Sequence, residues 1–142
     1  MSLELDSIAV EPTLAQEGVW ANFLGGEFLL ARRGPEYNAR LGQLYNENLA
    51  VIKDKTNPEV STKKVLEIYQ RAFADTVLKD WKGITKGGKK LKYTPEKGFE
   101  ILSDPRQAEL ATFLEQFSLN HANYQAAVEA EVASDVKSSA VS

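Results

Sequence analysis

Val19-Trp20-Ala21-Asn22-Phe23-Leu24-Gly25-Gly26-Glu27-Phe28-Leu29-Leu30-Ala31-Arg32 sets two apolar runs on either side of a glycine pair. Such runs, separated by two residues suited to positive φ, read as a β-hairpin. With Gly25-Gly26 as the loop, Phe23 faces Phe28 in an aromatic cross-strand pair of the kind that stabilises hairpins. A lone hairpin is marginal in water, so it must pack on helices or on another chain. A small helical body covers only one of its faces easily. Trp20, Phe23, Phe28, Leu29 and Leu30, with the basic Arg32 and Arg33 that follow, therefore form a candidate partner or self-association surface. Full enclosure of these side chains in the monomer core is the competing reading.

Outward from the hairpin the pattern is helical. Residues 1–17 are polar with scattered apolar positions and read as a flexible lead-in. Gly34-Pro35-Glu36 opens a helix with proline at its first position, and Tyr37, Leu41, Leu44, Tyr45, Asn48 and Ile52 recur at helical spacing. Lys53 through Pro58 breaks it. A second helix is predicted over about 59–82, with Val65, Tyr69, Phe73, Val77 and Trp81 as its buried stripe. On the far side Lys63, Glu67, Arg71, Asp75 and Lys79 alternate in sign at i,i+4, each neighbouring pair contributing a few tenths of a kcal/mol. Thr94-Pro95-Glu96 starts a short helix ending near Pro105. A last helix is predicted from Arg106 to Val128, with Leu110, Leu114, Phe117, His121, Tyr124 and Val128 facing inward. The expected fold is mainly α: about four helices with an N-terminal hairpin, a single domain over 18–128, and a flexible tail over 129–142.

Bulk properties narrow the function. With 142 residues the chain supports one domain and one core. A net charge of −3 argues against nucleic-acid binding over the whole surface. Cysteine is absent, so thiolate chemistry and cysteine-bound zinc are excluded. The acidic start does not resemble a signal peptide, and no run reaches the ~18 apolar residues of a membrane span. The expectation is a soluble intracellular protein.

No constellation of side chains carries chemistry. Gly83-Ile84-Thr85-Lys86-Gly87-Gly88-Lys89-Lys90 nearly matches a phosphate-binding loop. Lys90, however, stands where a magnesium-binding Ser or Thr is required, and the segment follows an amphipathic helix rather than a buried strand. Lys79 to Lys97 holds seven lysines against two acids, a local excess of five positive charges. Lys86, Lys89, Lys90 and Lys92 form a candidate basic loop, either an anion or acidic-partner patch or a solvated surface. Base stacking is poorly supplied, because no aromatic residue stands among those lysines before Tyr93. His121, the one histidine, falls on an apolar stripe without a second imidazole to share a metal, and reads as a core residue. The sequence predicts no enzyme, no metal and no cofactor.

The order of parts resembles the tail assembly chaperones of long, flexible-tailed bacteriophages. The likeness is carried by Trp20 to Arg33, the Asn57-Pro58 break, and Ala72-Phe-Ala-Asp-Thr-Val-Leu-Lys-Asp-Trp81. It continues through Gly87-Gly88, Leu91-Lys-Tyr-Thr-Pro-Glu96, Ile101-Leu-Ser-Asp-Pro105, and Leu114, Phe117, Ser118, Asn123 and Tyr124. It spans about residues 18–125. Thr85-Lys86 departs from the family pattern, which carries an acid beside the loop glycine. The resemblance implies a mostly helical, self-associating protein of the host cytoplasm. It would coat the tape measure protein before the tail tube polymerises and would contact tail tube subunits. A longer frameshifted form is also implied. Two other classes are a permanent virion component, such as a connector or minor tail protein, and a small nucleic-acid-binding module.

Overall fold

In a computed structural model that describes residues 1–125, strands β1 (Val19–Phe23) and β2 (Gly26–Leu30) form the expected hairpin. Its turn is Leu24-Gly25 rather than Gly25-Gly26. These two residues hold φ of 51° and 92°, the left-handed pair that a tight hairpin turn requires. Phe23 thus faces Gly26, and Ala21 faces Phe28. Gly26 joins the strand, where a Cβ would stand 2.6 Å from the Ile84 Cδ1 end of a flexible side chain. The register slips by two residues, which leaves every side chain on the same face.

The larger departure concerns the fold class. Among the described residues there are six α-helices and five strands in two sheets, a mixed α/β fold rather than a mainly α one. Helix α4 spans Pro58–Thr76, and Leu78–Lys82, expected as its final turn, is strand β3. It runs antiparallel to β2 with Trp81 opposite Phe28, and a bulge falls at Leu29/Leu30. The β1–β2 hairpin leaves one edge of β2 with unpaired backbone groups, and β3 satisfies them. A strict four-residue repeat also advances about 40° per step around a helix, so it cannot keep one face. Tyr69 has already rotated to 40% exposure, while Ile68, Ala72, Phe73 and Ala74 are buried.

Pro35 and Pro95 open helices as expected, and Pro58, read as part of a break, opens one too. Helices α2 (Pro35–Glu47), α4 and α5 (Pro95–Ser103) each carry proline in the first turn. Thr94 caps α5 by accepting the Lys97 N–H at 3.1 Å. A one-turn helix α3 (Leu49–Ile52) follows α2. Residues 83–93 contain a second hairpin, β4 (Thr85–Lys86) and β5 (Lys89–Lys90), turned at Gly87 and Gly88 with φ of 61° and 78°. Helix α6 runs only over Ala108–Leu119, because extended Asn120 accepts the Ala122 N–H and starts a 3-10 turn, His121–Tyr124. The predicted end of that helix at 128 and the tail 129–142 lie outside the described residues.

Residues 1–17, read as a flexible lead-in, hold a 3-10 turn at Leu5–Ile8 and a short helix α1 (Pro12–Glu17). The Glu11 N–H donates to the Tyr124 carbonyl and the Arg32 N–H to the Ala15 carbonyl, both at 2.8 Å. These bonds pin the segment to the Leu30 end of the sheet.

The core gathers Ala21, Phe28, Leu30, Tyr37, Leu44, Ile68, Ala72, Phe73, Val77, Leu78, Trp81, Leu102 and Leu114. Burial of each large side chain contributes roughly 1.5–3 kcal/mol. The charge ladder on α4 does not close on itself. Arg71 bonds Glu96 of α5 at 2.9 Å, Asp75 takes Arg40 of α2 at 2.9 Å, and Lys79 approaches Glu36 at 4.0 Å. Glu67 pairs within α4, with Lys64 at 3.2 Å, while Arg71, Asp75 and Lys79 make ties between elements instead of the expected intrahelical pairs.

Candidate partner-binding surfaces

Strand alternation divides the hairpin residues. Ala21, Phe23, Phe28 and Leu30 point inward. Phe28 and Leu30 are 2% and 0% exposed, with Phe28 edge-on to Trp81 at 6.4 Å. Both are core side chains, so the structure removes them from the outer face of the hairpin, and Phe28 reaches only the wall of a small hollow on the other side. Half-buried Phe23 packs on Phe113 of α6 at 5.0 Å. Trp20 and Leu29 pair across the other face of the sheet and stay half-buried there, with Lys82 Nζ 4.1 Å above the Trp20 ring. The helical body thus covers the inner face, as a small domain readily does, and the outer face keeps Trp20.

The two arginines after the hairpin also separate. Arg32 is half-buried, with one terminal nitrogen, NH1, enclosed and without a hydrogen-bond partner among the described residues. Arg33 lies 4.3 Å over the Tyr37 ring and donates to Glu115 Oε1 at 2.8 Å. That contact fixes it at one end of a groove that the sequence did not signal.

The groove holds about 670 Å³. Leu66, Tyr69, Gln70 and Phe73 of α4 form one wall, and Ala108, Ala111, Thr112 and Glu115 of α6 form the other. Both walls follow the i, i+3, i+4, i+7 spacing of a helix face. Leu102 lies on the floor, and Arg33 and Tyr37 close one end. Leu66 is 57% exposed and shares this wall with Tyr69, 40% exposed, so the two give the groove an apolar lip on that side. The only sequence signal of Leu66 was a place off the expected stripe.

The lysine hairpin projects from the opposite end of β3. Thr85 faces Lys90 and Lys86 faces Lys89, so two like charges stand directly opposite, a destabilising arrangement. Lys86, Lys89, Lys90 and Lys92 are exposed and form no ion pair among the described residues. Lys86 joins Lys97 and Arg106 around a hollow of about 200 Å³ lined by Phe28, Ile84, Leu91, Ile101 and Leu110. Asp104, also there, is engaged by Arg106 at 2.9 Å, and that guanidinium holds its carboxyl below the usual carboxylate range. Of the expected site residues, the structure brings Trp20 beside Lys82, Arg33 into the groove, and Lys86 to this hollow.

The only histidine, His121, is half-buried at the start of its 3-10 turn. Three or more His, Cys, Asp or Glu side chains do not converge on a metal-sized space among the described residues. No helix among them is long and apolar enough to cross a membrane.

A family model for the YdaY prophage protein matches residues 33–135. The chain belongs to that family. Membership makes it a phage-derived protein, the coarser part of the resemblance drawn from the sequence. The matched span begins at Arg33, after the β1–β2 hairpin, and includes every residue lining the α4–α6 groove and the lysine hairpin. No curated protein and no solved structure is significantly similar to the chain.

Proposed function

We propose that this YdaY-family protein is a phage tail assembly chaperone. It binds the tape measure protein and helps recruit tail tube subunits during tail morphogenesis in the host cytoplasm. Three things support the reading: prophage family membership, the ordered resemblance along residues 18–125, and the α4–α6 groove. The groove carries it.

Two helical walls, an apolar floor and a polar rim suit an amphipathic helix laid in lengthwise, anchored by side chains at i, i+3, i+4 and i+7. A tape measure protein is a long chain of apolar helical stretches that aggregate when bare. A chaperone for it needs many shallow, repeated contacts rather than one deep pocket. Such contacts give avidity along the filament, while each stays weak enough for arriving tube subunits to displace. Arg33 and Glu115 at the groove end supply the polar contacts that set direction.

The test is co-expression with the tape measure protein of the same prophage. The chaperone reading expects the client to become soluble and to co-purify. Leu66→Asp/Tyr69→Asp, on exposed positions, is expected to abolish both while leaving the fold intact. A client that is equally soluble alone and never co-purifies would overturn it.

A further inference from the structure

The acids that precede β1 and the lysines of the second hairpin lie at opposite ends of the three-stranded sheet, with Arg32 and Arg33 following β2 at the first of these ends. Residues 1–31 contain five acids (Glu4, Asp6, Glu11, Glu17, Glu27) and no basic side chain. Four of these precede β1, Asp6 and Glu17 within the 3-10 turn and α1 and Glu4 and Glu11 capping them. The contacts Tyr124 Oη to the Leu30 carbonyl, Gln125 Nε2 to the Ser7 carbonyl and Arg32 N–H to the Ala15 carbonyl fix this segment at the Leu30 end. The segment from Lys79 to Lys97 has its five-charge positive excess, and its hairpin leaves the sheet at the other end, where Gly83 and Ile84 meet Gly25 and Gly26. Strands of five residues hold the two ends roughly 15 Å apart, so one molecule cannot bring them together.

Each end also carries apolar surface. Leu3 and Leu5 alternate with Glu4 and Asp6 and are 65% and 70% exposed. At the basic end, the hollow beside Lys86, Lys97 and Arg106 has an apolar lining. Of the two acids that face it, Glu100 and Asp104, the second is engaged by Arg106. An acidic segment with exposed leucines and a basic rim around an apolar hollow are complementary in both respects.

We propose that this chain self-associates head to tail, the Leu3-Glu4-Leu5-Asp6 segment of one copy docking on the lysine hairpin and adjoining hollow of a second. Glu4 and Asp6 meet Lys86 and Lys89, relieving the like-charge pair across the hairpin, and a leucine enters the hollow. The contact is heterologous, so every copy keeps one free head and one free hairpin, and the assembly extends until it closes as a ring. A second copy fits better than nucleic acid. The residues outside 79–97 sum to a net charge of −8, which repels a long polyanion, and the hairpin tip lacks the aromatic and arginine groups that read bases. The inference does not depend on the client of the α4–α6 groove.

Light scattering on the purified full chain tests it. At low salt, where the screening length is about 30 Å at 0.01 M, the mass is expected to rise with concentration above the 15.7 kDa of one copy. At 1 M salt it is expected to return there. Lys86→Glu/Lys89→Glu/Lys90→Glu and Glu4→Lys/Asp6→Lys should each remain single copies, with unchanged circular dichroism. Mixed one to one, they should reassociate, because each supplies the sign that the other has lost. A wild type that stays a single copy at low salt overturns the proposal, as it would if the hairpin served a polyanion and shifted duplex DNA instead. So does either variant associating alone, or a mixture that fails to recover mass.

Discussion

Trp81 donates its indole N–H to the Leu91 carbonyl at 2.7 Å, joining β3 to the residue that closes the lysine hairpin. Tyr93, edge-on to Trp81 at 5.0 Å, returns a hydrogen bond from its hydroxyl to the Leu78 carbonyl, also at 2.7 Å. The basic hairpin is thereby held at a fixed angle to the sheet.

Trp81→Phe keeps most of the ring packing and deletes that donor. A loss of about 1–3 kcal/mol is expected, the cost of a missing hydrogen bond plus a small cavity. Urea denaturation measures it, and Tyr93→Phe should lose about 1 kcal/mol in the same assay.

Tyr124 is enclosed, and its hydroxyl donates to the Leu30 and Ala31 carbonyls at 3.1 and 3.2 Å. Burial pushes its ionisation well above the ordinary tyrosine range, partly offset by nearby Arg32. The folded state therefore prefers the neutral phenol. Its stabilisation is complete below the unfolded-state pKa of about 10 and is lost as pH rises beyond it. Alkaline titration followed by circular dichroism should show this loss, and Tyr124→Phe should flatten it while costing about 1–2 kcal/mol at neutral pH.

Gly18 holds φ of 101°, and a Cβ there would come within 3.1 Å of the Leu30 backbone. Gly87, at φ of 61°, has open space around it. Gly18→Ala should cost about 3 kcal/mol or more, since strained backbone and a backbone clash add. Gly87→Ala should cost about 1–2 kcal/mol, the left-handed penalty alone. Thermal melts that rank the two in reverse would contradict the geometry.

Phe28→Asp is a useful control. Charge placed on a 2%-exposed core position opposite Trp81 should unfold the protein rather than release a partner. Loss of helicity together with loss of soluble yield is the expected result.

How much of this was legible in the sequence follows from how local each signal is. Pro58 reads as part of a break and the glycine pair places the first turn one residue late, whereas proline at the start of α2 and α5 acts within a few residues and was readable. Strand β3 was not: Leu78 to Lys82 continues the helical spacing of Val77 and Trp81, and only the open edge of β2, nearly fifty residues earlier in the chain, makes it extended. The division of the hairpin between core and outer face needed the same missing strand. The groove had no signal, because its walls come from α4 and α6 and its end from Arg33. Lys86, Lys89, Lys90 and Lys92 were visible as a charge run, but not as a rigid hairpin facing away from an acidic end.

The central claim is that the α4–α6 groove receives a helical client. It is tested most directly by co-purifying the prophage's tape measure protein with wild type and with Leu66→Asp/Tyr69→Asp. A soluble complex is expected with the wild type and none with the folded variant. Equal recovery of the client with both proteins, or with neither, would contradict it.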